Sequence, residues 1–319
     1  MSVQSEAAAP HRVRPFYWSL RRELWENRAI YLAPLAVAAV ILAAFVYASH
    51  GLARELRIAA HLVPPPPPPR HIDAKALATW ATDAPTQAGF ALLIPYIASA
   101  FAMLATATVV GVFYCLGALY GERRDRTVLF WKSLPVADRT TVAAKAVVPL
   151  VVLPVVAIAA LGIISLLLLA VSFAVLAGNG LSWDLLLARA PVGRIWALAA
   201  YAIVCLALWW APLMGWLMAV SAWARKTTFV WAIAPPAVLC LFERLAFGSS
   251  YAWRFLRWRL GGGLEPAFGG VPPHPRSLPT LDQLTPLRFL ADPGLWGGLA
   301  AFLLLLAACV WLRRRGDPI

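Results

Sequence analysis

The distribution of charge constrains this chain more than any motif does. From Arg28 to Arg54 there are 25 consecutive residues without Asp, Glu, Lys or Arg. Further such runs cover 84–121 (38 residues), 146–183 (38), 195–224 (30), 227–242 (16) and 293–312 (20). A helix needs about 20 apolar residues to cross a hydrocarbon core of about 30 Å. In lipid only helices and closed barrels satisfy their own backbone, and continuous apolar runs without alternation are helical. The 319 residues are 61% hydrophobic and 13% charged, whereas soluble domains are about 45–50% apolar and 25% charged. The pattern predicts an all-α polytopic membrane protein. Its six transmembrane helices are expected near Ala29–Ala48, Ala88–Tyr120, Ala143–Ala177, Ile195–Ala222, Thr227–Phe247 and Gly294–Leu312. The fifth run is short, so either it carries Glu243 and Arg244 at its outer end or it does not fully cross. The formal charge of +13 is no nucleic-acid footprint, because that requires basic surface on a soluble domain.

Basic residues orient the spans. With both termini in the cytoplasm, 16 of the 28 Lys and Arg fall in about 65 inner residues and 12 in about 105 outer ones. Residues 1–28 are then a cytoplasmic tail with an interfacial helix, and 29–319 a single transmembrane domain. Its external loops are 49–87, 178–194 and 248–292, and its main cytoplasmic loop is 121–145. The run before the first span is too long and its apolar stretch too extended for a cleaved signal peptide. The Arg-over-Lys, Ala- and Trp-rich composition fits a bacterial inner membrane. Proline lies inside the spans at Pro95, Pro149, Pro154, Pro212 and Pro235-Pro236, where each removes a helix hydrogen bond and permits a kink.

Three segments outside the spans carry pattern. In "PFYWSLRRELWENR", Tyr17, Leu20 and Leu24 share one helical face, flanked by Phe16 and Trp25, with Arg21, Arg22 and Glu26 opposite. This predicts a basic amphipathic helix in the membrane interface. "YAWRFLRWRL" from Tyr251 predicts a second, on the outer side, with Trp253, Leu256 and Leu260 on one face. The loop Tyr120–Lys145 is the most informative. Thr127, Phe130, Trp131 and Leu134 form a helical stripe, Pro135 ends it, and Asp138 is placed to cap the next helix. Glu122, Asp125, Arg126 and Lys132 are expected to face the cytoplasm with Leu129 among them. That face is either a partner surface or a solvated linker.

The same loop resembles the cytoplasmic loop of ABC-2 type transporter permeases. The matching residues are Glu122, Arg123, Arg124, Thr127, Ser133, Leu134, Pro135, Val136 and Lys145, with Phe130-Trp131-Lys132 where an aliphatic stretch is commoner. The resemblance implies a permease subunit of an ATP-driven exporter. Its interfacial helix (Tyr17, Leu20, Arg21, Arg22, Leu24, Trp25) and its coupling loop (Glu122, Arg123, Arg124, Asp125, Arg126, Leu129, Lys132, Leu134, Pro135) would form the surface on which separate ATPase subunits dock. A second permease subunit, identical or homologous, would complete the path. ATP and Mg would belong to the ATPase, since no G-x-x-x-x-G-K-[ST] loop occurs here. This chain binds no cofactor or metal on that reading.

Two other classes compete. An integral membrane enzyme would need facing ionisable or nucleophilic groups within the spans, and all five His are expected in loops, without metal spacing. An ATP-independent carrier or channel would show intramembrane charge or inverted repeats. The uncharged spans imply an apolar or amphipathic cargo (a lipid, peptide or antibiotic). Tyr96, Tyr114, Trp209, Trp210 and Trp216 are the candidates for contact with it, with packing as the competing role for each.

Overall fold

The computed structural model describes residues 15–62, 87–125, 137–178, 192–269 and 281–315, and every structural statement below concerns those residues. They form helices and turns, with no strand among them. In chain order the α-helices are α1 (Pro15–Glu26), α2 (Ala29–Leu62), α3 (Gln87–Ala118), α4 (Tyr120–Arg124), α5 (Asp138–Val147), α6 (Leu153–Gly178), α7 (Val192–Trp209), α8 (Ala211–Trp223), α9 (Thr228–Phe247), α10 (Tyr251–Gly261), α11 (Pro286–Ala291) and α12 (Pro293–Arg315). Six stretches are long and apolar enough to cross a membrane: Ala29–Ser49, Leu93–Arg124, Asp138–Val175, Val192–Trp209, Thr228–Phe247 and Pro293–Arg315. This is the helix content of a multi-pass membrane protein.

The two largest hydrophobic clusters of the bundle share α3. Helices α2, α3 and α6 close on Phe45, Tyr96, Met103, Ile164 and Leu168. Helices α3, α8 and α12 close on Cys115, Met214, Met218, Phe302 and Cys309. Small residues let these backbones approach, as expected where apolar burial against lipid gives no net drive. A Cβ on Gly215 would come within 2.8 Å of the Phe302 ring. Helix α9 is the outlier, for it packs only lightly against the bundle.

Proline modifies the spans in three ways. At Pro149 the third span passes through a π-helical turn, Val148–Val152, between α5 and α6. The fourth span, expected as one helix over Ile195–Ala222, is two: α7 ends at Trp209 and α8 begins at Ala211, ahead of Pro212. Pro212 has no N–H, so the ladder yields there. Pro235-Pro236 leave α9 unbroken, and the side chain that makes this tolerable comes from α8. Thr227, in the short link between α8 and α9, is the non-glycine residue at positive φ (48°), a conformation costly for a β-branched side chain.

Helix α10, expected as an interfacial helix, forms where its pattern placed it and is held at both ends. Glu243 of α9 accepts the backbone N–H groups of Tyr251 (2.6 Å) and Ala252 (2.7 Å) and the Ser249 hydroxyl (2.6 Å). Its carboxylate thus satisfies the orphan donors of the first turn. At the other end the indoles of Trp209 and Trp210 donate to the carbonyls of Arg259 (2.9 Å) and Leu260 (3.1 Å). Arg259, one of the three arginines of this helix, is buried. Its guanidinium stacks over Trp209 at 4.5 Å, donates to the Gly294 carbonyl at 2.9 Å and lies against Gly298. Burial lowers its pKa from the ordinary arginine value, because the charged form loses hydration there.

Candidate functional site

Helix α1, the end of α3 with α4, the start of α5 and the end of α12 meet at one end of the bundle, and their charges turn inward. Lys145 Nζ lies 2.7 Å from Glu23 Oε1 and 3.2 Å from Glu122 Oε1, and the side chains of Lys145 and Glu23 are each only 3% exposed. Glu122 also pairs with Arg22 at 3.1 Å and, through its other oxygen, with Arg313. Arg313 Nε reaches Asp138 at 2.9 Å. The Tyr114 hydroxyl donates to Glu23 Oε2 at 2.9 Å. Arg22 also pairs with the half-exposed Glu26 at 2.7 Å, so four carboxylates (Glu23, Glu26, Glu122 and Asp138) face three cations (Arg22, Lys145 and Arg313). Buried charges persist only when paired and hydrogen-bonded, and removing one partner is far worse than removing both.

The local backbone explains how Glu122 comes to lie there. Helix α3 ends at Ala118 and α4 restarts at Tyr120, which leaves backbone donors unpaired at the junction. Ser221 of α8 accepts both, from Leu119 N at 3.0 Å and Tyr120 N at 2.9 Å. Arg123 in turn donates to the carbonyls of Ala222 and, at 3.4 Å, of Ala224, and so caps the C-terminus of α8. This reciprocal pair fixes the turn, and Glu122, the residue before Arg123, points into the bundle.

Helix α1 presents two opposite faces. Leu20, Glu23 and Leu24 face the bundle, with the two leucines against the α3–α8–α12 core. Trp18, Arg21 and Trp25 form the outer face, with the Arg21 guanidinium 5.3 Å from one indole centroid and 4.8 Å from the other. Tyr17, expected on the apolar stripe, is exposed. Between α1 and the α3–α4 turn lies an open cleft of about 410 Å³, walled by Glu23, Glu26, Glu122 and Asp125 as well as Arg22 and Lys145.

Against the expected coupling surface, the structure divides the residues. Glu122, expected to face the cytoplasm, is buried in the ion network, because three neighbouring helices, α1, α5 and α12, supply its cations. Arg123 is spent on the end of α8. Arg124 and Asp125 are exposed and pair with each other at 2.9 Å. Arg126, Leu129, Lys132, Leu134 and Pro135 lie outside the described residues. Asp138, expected to cap α5, is its first residue and makes no side-chain cap, since Arg313 takes its carboxylate. Glu23 was not singled out by sequence reasoning. Its signal was visible as a lone acid between Leu20 and Leu24 on the apolar face of α1.

The aromatic residues proposed to line a path do not line a common one. Tyr96 is buried in the α2–α3–α6 core, its hydroxyl 3.5 Å from Ser172. Tyr114 serves Glu23, and Trp209 is fully buried beneath α10. Trp210 and Trp216 border an apolar groove beside α9, though both indole N–H groups are already engaged with backbone carbonyls.

In comparisons with known proteins no family model, no curated protein and no solved structure matches the chain.

Proposed function

We propose that this chain is the membrane-spanning permease subunit of an ATP-binding cassette exporter, powered by a separate ATPase. The observation that carries the proposal is the locking of α1 to the Glu122–Lys145 region by buried ion pairs at one end of a six-helix bundle. The resemblance of Tyr120–Lys145 to the coupling loop of ABC-2 type permeases assigns these same two segments to the ATPase-docking surface. A docking surface must transmit force, and an ion-paired joint passes motion of the loop directly to α1, α3, α5 and α12.

On this proposal the charged end is cytoplasmic, and the Trp18–Arg21–Trp25 face of α1 rests in the membrane interface, where amphipathic aromatics and arginine belong. The acidic cleft beside α1, with Glu26 and Asp125 exposed at its edge, faces the ATPase. A second permease subunit completes the path, and the cargo is apolar or amphipathic.

The test is affinity purification of the full chain under mild detergent from its native host. An ATPase carrying a phosphate-binding loop is expected to co-purify. The paired variant Arg124→Glu, Asp125→Lys, at exposed positions, is expected to abolish that recovery while leaving the permease monodisperse. Glu122 is unsuitable for charge reversal because its loss unsettles the fold. Recovery of the permease without any ATPase under cross-linking conditions would overturn the proposal.

A further inference from the structure

Helix α9 meets the rest of the chain near its two ends and stands apart between them. At one end the Trp216 indole donates to the Ala232 carbonyl at 3.1 Å, and at the other Glu243 caps α10. The gap between α9, α3 and α8 is an open apolar groove of about 960 Å³. Val112, Leu213 and Leu217 form one wall, Ile233 and Leu239 the other, and Trp253 of α10 closes its end. Its few polar atoms are already used within the chain: the Thr108 hydroxyl donates to the Leu104 carbonyl at 2.8 Å and the Trp210 indole to Leu260. The groove therefore offers water nothing, and in a bilayer hydrocarbon must fill it.

Its dimensions and charge select the occupant. On α9 the lining runs from Phe229 to Cys240, about 17 Å at 1.5 Å per residue. That is close to half of a hydrocarbon core of about 30 Å, the depth of one leaflet. At the closed end α10 carries Arg254 and Arg257, both exposed; among the described residues neither is in an ion pair, and the Arg254 guanidinium rests over the Tyr251 ring, 4.6 Å from its centroid. Arg257 lies four residues after Trp253 and three before Leu260, so it emerges beside the face that roofs the groove. Arg254 lies one turn away on the same flank. The nearest acid along α9, Glu243, accepts the N–H groups of α10 and also lies within the field of Arg254.

We propose that this groove is a site for one anionic phospholipid, with an acyl chain between α9 and the α3–α8 wall and the phosphate held by Arg257 and Arg254. Guanidinium groups pair with phosphate oxygens in a charge-assisted, bidentate geometry. The site depends only on the helices standing in a bilayer, so its failure leaves the ATPase proposal untouched and the reverse also holds.

The experiment uses the full chain, purified without any ATPase and reconstituted in nanodiscs of phosphatidylcholine with or without phosphatidylglycerol. Native mass spectrometry then reads the lipid retained after release. Retention of one phosphatidylglycerol in preference to phosphatidylcholine is expected. The double variant Arg254→Gln, Arg257→Gln is expected to weaken that preference about tenfold or more, from two interfacial cations. Ala237→Trp, which fills the groove without touching the arginines, is expected to remove retention of either lipid. Equal retention of the two lipids by the wild type, or an unchanged preference in the double variant, would overturn the site. So would a homodimer that excludes lipid and is lost in Ala237→Trp, since the groove would then belong to a second copy.

Discussion

The indole nitrogen of Trp216 sits 3.1 Å from the carbonyl oxygen of Ala232. Ala232 is four residues before Pro236, whose missing N–H would otherwise have donated to that carbonyl. A side chain of α8 thus supplies the hydrogen bond that proline removed from α9, and α9 remains a continuous helix through Pro235-Pro236. Within a membrane, a freed carbonyl of this kind must be satisfied by a neighbour. The same contact is one of the few that tether α9 to the bundle.

Trp216→Phe is accordingly expected to lower stability by about 1 kcal/mol, the worth of one hydrogen bond between spans. In a Pro236→Ala background the helix can satisfy Ala232 itself, so the same substitution should then cost measurably less. Thermal unfolding of the four proteins in detergent gives the coupling. Equal costs in both backgrounds would show that the indole acts by packing alone.

Lys145→Met leaves Glu23 without its closest cation and takes one of the partners of Glu122. Loss of one partner from a buried pair costs about 3–5 kcal/mol. Adding Glu23→Gln should recover part of that loss, because the orphaned charge goes with it. Size-exclusion profiles and melting temperatures of the single and double variants are the measurement, and a double variant worse than Lys145→Met would contradict the pairing.

Gly298→Ala places a methyl group where the Arg259 guanidinium now lies. Overpacking of this kind costs about 1–3 kcal/mol. Gly297, next along α12, has open space at its Cβ position, and Gly297→Ala should be neutral or slightly stabilising. Paired thermal melts decide it: equal shifts for the two variants would remove Arg259 from its notch.

Glu243→Gln keeps the size of the α10 cap but not its charge. Hydrogen exchange is expected to quicken at Tyr251 and Ala252, whose N–H groups the carboxylate accepts, and to stay unchanged in α12. Uniform quickening across the bundle would instead mark a global loss of stability.

Much of this architecture was legible in the order of residues. Six spans, the amphipathic character of α1 and the helix beginning at Tyr251 follow from runs and periods, which are local properties. The partners of the charges were not legible. Glu122 read as a surface acid because its own segment is charged, yet its cations come from residues 22, 145 and 313. Trp209 and Trp210 read as free aromatics in an apolar run, and the carbonyls that engage them lie 50 residues onward.

By itself, then, the sequence determined that this chain forms long apolar helices, because uncharged stretches of that length have no other low-energy state in lipid. It also determined where proline would disturb them. Only the tertiary structure decided which disturbance becomes a break, as at Trp210, and which is repaired, as at Pro236 by Trp216. It alone decided which charges are buried and which remain at the surface. The physical reason is that an unpaired N–H, carbonyl or charge must find a partner, and that partner is set by proximity in space, which hydropathy along the chain does not record.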